Sequence, residues 1–380
     1  MKILLVGEFS RLHNSLKEGL LALGHEVTLV GNGDQFKKYP VDHSIDSFVF
    51  NKGIPLFFRK VVLKLLSIDI ADFEIVYRFK KLLPQLKGYD VVQLINEDAL
   101  AIHPKLQIPL LQKLIDQNKS VFLLCCGDDP ITVNFANNGQ YRYSFLTPYL
   151  TGKVSTNYFA YSLKYLTAPY KKLHEFLKGH IRGVIATDMD YHLPMLSHNN
   201  YLGLIPNPIN IDRLKFIEPH VSDQIIIFHG VNNMNYYKKG NDIFEAALDI
   251  LNQKHSEGIE IITARSLPYD AYIKSYNRAH IVLDQVYAYD QGYNALEAMA
   301  KGKVVFTGAE QEWLDYYRLE EDTVAINALP DAEKIAEKLE WLVLNPEKIL
   351  EISKNARAFI EREHHYVRVA ERYVEKWGAS

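Results

Sequence analysis

This sequence predicts two α/β domains, each a doubly wound parallel sheet covered by helices, and three observations carry that prediction. Buried strand-like runs alternate with helix-patterned runs over the first 204 residues. The alternation breaks at LIPNPINIDRL, residues 204–214, where two prolines flank an asparagine, and then restarts as far as TVAIN. With 380 residues, 48% of them hydrophobic, the chain is long for one core and suits two domains of ordinary size.

In the first half KILLVG, HEVTLVG, YDVVQLI, SVFLLCCG and RGVIATD read as buried strands, with SRLHNSLKEGLLALG and PLLQKLIDQN between them at helical spacing. In the second half the strands are QIIIFHG, IEIITA, HIVLDQ, KVVFTG and TVAIN. They are separated by NDIFEAALDILNQ, YDAYIKSYNRA, NALEAMAKG and EWLDYYRL. After about residue 331 the pattern is helical to the end, which is more cover than the second sheet needs. The expected organisation is 1–204, 205–364, and a last helix over 365–380 that packs back on the first domain.

A net charge of −3 gives no general electrostatic case for nucleic acid. Cys125 and Cys126, the only cysteines, lie in the apolar run VFLLCCG and read as small core residues in a reducing compartment. No run of about 18 apolar residues suggests a spanning helix. Met1 opens directly on a strand without a secretory pattern, so the expected location is cytoplasmic, with any membrane contact peripheral.

Parallel sheets bind ligands beyond the carboxyl ends of their strands, so two such domains face a cleft lined by the loops after each strand. The first, GEFSRLHNSL, lacks the G-x-G-x-x-G of a dinucleotide fold, and there is no P-loop. Gly7, His13, Asp128 and Asp129 occupy first-domain loops or the helix start and are candidates for acceptor contact, with a turn or helix cap before Pro130 as the structural reading of the two aspartates. In the second half, VNNMNYYKKG runs into a helix and sets Lys238 and Lys239 at its start, where they serve as phosphate partners or as solvated loop lysines. The other loop, VYAYDQGYNALE, leads into a helix carrying Glu297. Asn294-Ala-Leu-Glu297 has the form of a capping box; the functional alternative is an anion site at the amides behind Gly292, with Glu297 accepting ligand hydroxyls.

The chain resembles the retaining GT-B glycosyltransferases, especially family 4, in four places: the N-terminal strand, glycine and GHEV; IPNP at the linker; a lysine-glycine pair after the first strand of the second domain; and the block ending EAMAKGKVVFTG. The resemblance implies a donor nucleotide-diphosphate sugar on the second domain, an acceptor on the first, and no metal or other cofactor. It implies that Glu297 accepts ribose hydroxyls, that Gly292, Tyr293, Asn294 and Ala295 form the loop meeting the diphosphate and sugar, that Lys239 is the phosphate lysine, and that Gly230 belongs to the donor loop. Two positions depart from the pattern. The first of the family's paired glutamates falls on Tyr289, with Asp290 next to it, and the arginine after the HG pair is Val231, leaving Arg265 as a substitute positive charge. Asp284-Gln285 resembles the subset linked to surface or capsular polysaccharide.

Asp188-Met-Asp190 has the form of a D-x-D metal motif, but that motif belongs to a fold with one nucleotide-binding domain, which the doubled pattern contradicts. His364-His365 reads as a solvated helix end, and no spacing suggests zinc. Residues 153–182 hold six Lys/Arg, six aromatics and one acid, a composition that suits anionic lipid or a lipid-linked acceptor if it is not simply packing. The expected activity is therefore metal-independent, retaining transfer of a sugar to a glycan or lipid-linked glycan. The rivals are a sugar-nucleotide epimerase or hydrolase on the same fold, and an inactive nucleotide-sugar binder.

Overall fold

Runs of valine, isoleucine and leucine buried on both faces form the strands, as parallel sheets require. The computed structural model describes residues 1–34, 37–221, 224–265 and 269–379. In the first domain the strands are β1 (Lys2–Val6), β2 (Glu26–Gly31), β3 (His43–Ser44), β4 (Val91–Leu94), β5 (Val121–Cys125), β6 (Gly183–Ala186) and β7 (Tyr201–Leu204), in the spatial order β3-β2-β1-β4-β5-β6-β7. In the second they are β8 (Ile225–Val231), β9 (Ile259–Arg265), β10 (Ile281–Leu283), β11 (Val304–Thr307) and β12 (Ile326–Asn327), in the order β12-β11-β10-β8-β9. Every pairing is parallel. In both sheets the order reverses beside the first strand of the domain, which opens a crevice at the carboxyl ends.

Helix α1 (Leu12–Ala22) follows β1. Helices α2 (Gly53–Leu66) and α3 (Ala71–Leu82) fill the crossover from β3 to β4, a stretch in which no strand signal marks the element order. Further on come α4 (Pro104–Asp116) and α5 (Pro130–Asn137). The last helix, Tyr366–Ala379, leaves the second domain and packs on α1. Val369, Ala370, Tyr373 and Trp377 join the core of the first sheet, and the Trp377 indole donates to Gln93 on β4 at 3.1 Å. His364, expected in solvent, is buried, and its Nδ1 donates to the Asn207 carbonyl at 2.9 Å, so it ties this crossover to the linker.

The two domains share a core. Tyr141, Phe159 and Tyr165 from the first pack in one cluster with Tyr289, Leu296, Met299 and Trp313 from the second. Arg142 reaches across the same seam to Glu310 at 2.6 Å and Glu312 at 2.5 Å. Among the described residues, no helix is long and apolar enough to cross a membrane.

Candidate active site

The loop after β8 turns into the helix Asn241–His255 through Gly240, whose φ of 70° is left-handed. A Cβ there would lie 2.6 Å from that of Val286, so only glycine lets the lysine loop approach the loop after β10. This approach brings Lys239 Nζ to 2.9 Å from Asp284 Oδ1. The same oxygen accepts from the Asn294 amide nitrogen at 3.0 Å. Asp284 is buried and its other oxygen has no partner among the described residues. The lysine loop is thereby linked to the amino end of the helix Tyr293–Ala300, whose opening amides have no preceding carbonyl to bind.

Gly292 caps this helix and no side chain does so, hence the capping box is not formed: Asn294 lies inside the helix and turns to Asp284. Glu297 sits beyond the first turn, half-buried, and its carboxylate makes no hydrogen bond among the described residues. Burial raises its pKa, while Lys301, Arg11, Lys37 and Arg213 pull the other way. Two of these cations, Arg11 and Lys37, come from the first domain, so Glu297 faces the cleft. Arg11 has a left-handed φ of 72° and chelates Glu18 at 2.7 and 3.1 Å; Lys37 pairs with Asp34 at 2.8 Å. Both lie in loops after strands, the one signal in the sequence that points to them.

Several expected site residues are committed elsewhere. Lys238 crosses to Asp128, at 2.9 Å, and is not beside the diphosphate loop. Asp128 also accepts from Ser162, so its oxygens serve the domain seam. Asp129 caps α5 through the Thr132 amide at 2.7 Å and is buried. Arg265 is held by Glu245 over the Tyr236 ring, which removes it as a donor charge. His13 is fully buried with Nδ1 donating to the Gly7 carbonyl at 2.7 Å; burial pushes its pKa down to about 3, and its Nε2 has no partner among the described residues. Gly7 has φ 88° and a Cβ there would meet Ile95 at 2.1 Å, so its role is conformational. Its own amide donates to Val30 at 2.8 Å.

The Tyr293 hydroxyl donates to the Pro208 carbonyl at 2.9 Å and therefore accepts from Ser15 at 2.6 Å, stapling the helix to α1 and the linker. The Ala295 side chain is buried, leaving only its main chain for a ligand. Gln285 lies beside Gly292, with its amide nitrogen 3.6 Å from where a Cβ would stand. Gly230 is an ordinary strand residue paired with Ala264.

Tyr289 is buried, and its hydroxyl accepts from the Arg142 amide at 2.9 Å while the Arg142 guanidinium lies 4.8 Å over its ring. Its hydroxyl and ring are thus committed to the seam between the domains. Asp290 is also buried and accepts from the Met189 amide at 2.9 Å. Here the structure joins two motifs that the sequence kept apart, because Asp188, Asp190 and Asp290 offer oxygens within 4.8 Å of one another. Burial raises all three; repulsion by Asp190 adds to it at Asp188, repulsion by Asp188 and Asp190 adds to it at Asp290, and Asp190 rises to about 7 through burial and the charge of Glu310. Another acid unmarked in the sequence is Glu8, in the loop after β1. It is buried, receives both the amide and the side chain of Asn14 at 2.9 and 2.6 Å, and burial raises it to about 7.

A family model described as glycosyl transferase-like matches residues 239–375, the stretch from Lys239 through the crossover helix. No curated protein matches the sequence at a significant level. Among solved structures, sucrose-phosphate synthase of Thermosynechococcus elongatus superposes with a TM-score of 0.60 at 15% identity, covering 100% of both chains. HepE of Anabaena in complex with UDP and glucose gives 0.59 at 13%, again over 100% of both chains. TarM of S. aureus, in a mutant complex with UDP, gives 0.58 at 11%, with 99% of each chain covered. The two parallel sheets, the cleft between them and the returning last helix, together with these superpositions, establish that the chain has the GT-B fold, with a glycosyl transferase-like region over residues 239–375.

Proposed function

We propose that the protein is a retaining glycosyltransferase of the family 4 type that moves a sugar from a nucleotide-diphosphate donor to a glycan or lipid-linked glycan. The observation that carries this reading is Glu297: a half-buried carboxylate, unbonded among the described residues, whose charge is favoured by four cations and which rides on a helix tied to Lys239 through Asp284 and the Asn294 side chain. Ribose hydroxyls are the natural donors to such a carboxylate. The diphosphate suits the amides of Tyr293, Asn294 and Ala295 together with the ammonium of Lys239. HepE and TarM, which share the fold, were solved with UDP, in keeping with a nucleotide ligand.

The chemical work is to stabilise the departing diphosphate while the sugar develops oxocarbenium character beside the acceptor oxygen. Lys239 and the helix amides supply positive potential without a divalent ion, so catalysis is metal-independent on this reading. On this reading Asp188, Asp190 and Asp290 are not assigned a metal: Asp290 receives the Met189 amide and Asp190 the Tyr289 amide, while Asp188 Oδ1 has no partner among the described residues. A cytoplasmic place of action agrees with two free thiols, Cys125 and Cys126. A role in surface polysaccharide assembly rests on the Asp284-Gln285 pair alone.

The test is a thermal-shift screen of nucleoside diphosphates and nucleotide sugars, followed by transfer from the best donor to candidate acceptors, with and without EDTA. Binding of one diphosphate series and EDTA-resistant transfer are expected. Activity restored only by magnesium or manganese contradicts the metal-free reading and gives the acid triad a ligand.

A further inference from the structure

Helix α2 has no buried residue. Ile54, Phe57, Phe58, Val61 and Leu65 recur at steps of three, one, three and four, which puts them on one stripe about 100° wide. That stripe faces solvent: Ile54 is 73% exposed, Phe57 65%, Phe58 57% and Leu65 74%. Lys60 and Lys64 flank it along one edge. On the other side of the helix Arg59 chelates Asp69 with two bonds of 2.7 Å, beside Leu63 and Leu66, which are exposed as well.

The loop leading into α2 is equally fixed. Glu74 on α3 accepts from the Ser47 hydroxyl and from the amides of Phe48, Val49 and Phe50, while Arg78 bonds it at 2.8 Å. Although burial opposes its ionisation, these hydrogen bonds hold its pKa down to about 2. Phe48 and Val49 are held exposed by this arrangement, and α3 adds exposed Phe73 and Tyr77 with Lys80 and Lys81. A soluble surface does not leave such an apolar face open without a use for it.

We infer that α2 and its entry loop dock the protein on an anionic lipid bilayer. Residues 48–68 carry Lys52, Arg59, Lys60 and Lys64 and no acid, in a chain whose net charge is −3. Aromatic and aliphatic side chains on one stripe with lysines at its border match the acyl and headgroup layers of an anionic interface. A second copy of the same face would bring lysines against lysines with no acid to answer them. Helix α2 follows β3, the edge strand of the first sheet, so a docked molecule holds its first domain beside lipid-borne substrates. The docking stands independently of the transferase reading.

The basic stretch 153–182, which composition alone favours for this role, is a different kind of surface. Lys164 is tied to Asp98 at 2.9 Å and Lys153 to Asp242, and Phe159, Tyr165, Leu173 and Leu177 are buried. Lys171, Lys172 and Lys178 are exposed, without an apolar stripe beside them.

The experiment is sedimentation of the full-length protein with phosphatidylcholine vesicles, with and without phosphatidylglycerol, at low and high salt. The wild type is expected to bind the anionic vesicles. Joint replacement Ile54→Ser, Phe57→Ser, Phe58→Ser and Leu65→Ser weakens binding by about tenfold or more, at an unchanged melting temperature because these side chains already face water. Lys60→Gln with Lys64→Gln weakens it by roughly fivefold per lysine at low salt and much less at high salt. Three results overturn the proposal: wild type that ignores anionic vesicles at low salt, a serine variant that binds as well as wild type, or a wild-type dimer that the serine variant dissociates without any vesicle binding. Nucleotide binding, measured in parallel, keeps this outcome separate from that of the transferase reading.

Discussion

Asp290 and Glu297 are seven residues apart in one loop and helix, and burial raises the pKa of both, yet their surroundings are opposite. Asp290 accepts the Met189 amide of the other domain and is crowded by Asp188 and Asp190. Glu297 is unbonded among the described residues, and the charges of Lys301, Arg11, Lys37 and Arg213 favour its ionised form. The first arrangement is a like-charged seam whose acids accept amides from the facing domain, whereas the second is a carboxylate in a field of opposite charge. A carboxylate prepared for a ligand is recognised by that combination of favourable charge and unfilled hydrogen-bonding capacity. Its raised pKa alone does not distinguish it.

The largest effect that sharpens this contrast is expected at Lys239. On the ligand side of the loop, Lys239→Ala removes a cation from the departing diphosphate and should lower kcat by about 10²-fold, the scale of losing one donor to a developing anion. The same change at Lys238, which is bound to Asp128, should leave the chemical step nearly intact. Equal losses in the two variants, read from single-turnover transfer, would erase the distinction between them.

On the seam side the expectation is a pH effect. Acids whose folded pKa values are raised contribute stability that is full below the unfolded value and is lost as pH rises through the folded one. For Asp190 that window runs from the ordinary carboxylate range to about 7. Asp290→Asn relieves one of the three repulsive partners and keeps an oxygen for the Met189 amide. It should raise the melting temperature near pH 8 by about 2 to 4 °C, roughly 1 kcal/mol, and flatten the loss between pH 4 and 7. A destabilised variant at every pH would mean that the third charge is needed, as it is when a cation is held.

The smallest effect concerns the contact that joins the domains beside the cleft. Asp128→Asn weakens the pairing with Lys238 and should cost about 1 kcal/mol or less in thermal unfolding. If it instead raises KM for the acceptor at unchanged stability, Asp128 touches substrate and the seam account is too narrow there.

Ten of the twelve strands were legible because each is a hydrophobic run bounded by turn residues, from KILLVG to TVAIN. The two that were not, β3 and β7, are His43–Ser44 and Tyr201–Leu204, a two-residue pairing and a strand interrupted by Gly203, which leave no periodicity to read. At the site, the loops were legible from their position after strands, but the direction of each side chain was not. Adjacent Lys238 and Lys239 are chemically identical, and only the turn at Gly240 sends one to Asp128 and the other to Asp284. Tyr289 and Asp290 were drawn to the site by their spacing from Glu297, while the contacts with Arg142 and Met189 that remove them belong to the other domain. The basic stretch 153–182 and helix α2 make the same point: composition favours the first, and exposure favours the second.

The most direct test of the account is a calorimetric titration of nucleoside diphosphates into wild type and Glu297→Gln. The substitution keeps the size of the side chain, and Glu297 forms no capping hydrogen bond that would be lost. The account predicts a folded variant with an unchanged melting temperature and a nucleotide affinity weaker by about 1 to 3 kcal/mol, the loss expected for a charged acceptor. Unchanged nucleotide affinity in a folded variant would contradict it and return Glu297 to the ordinary surface of a helix.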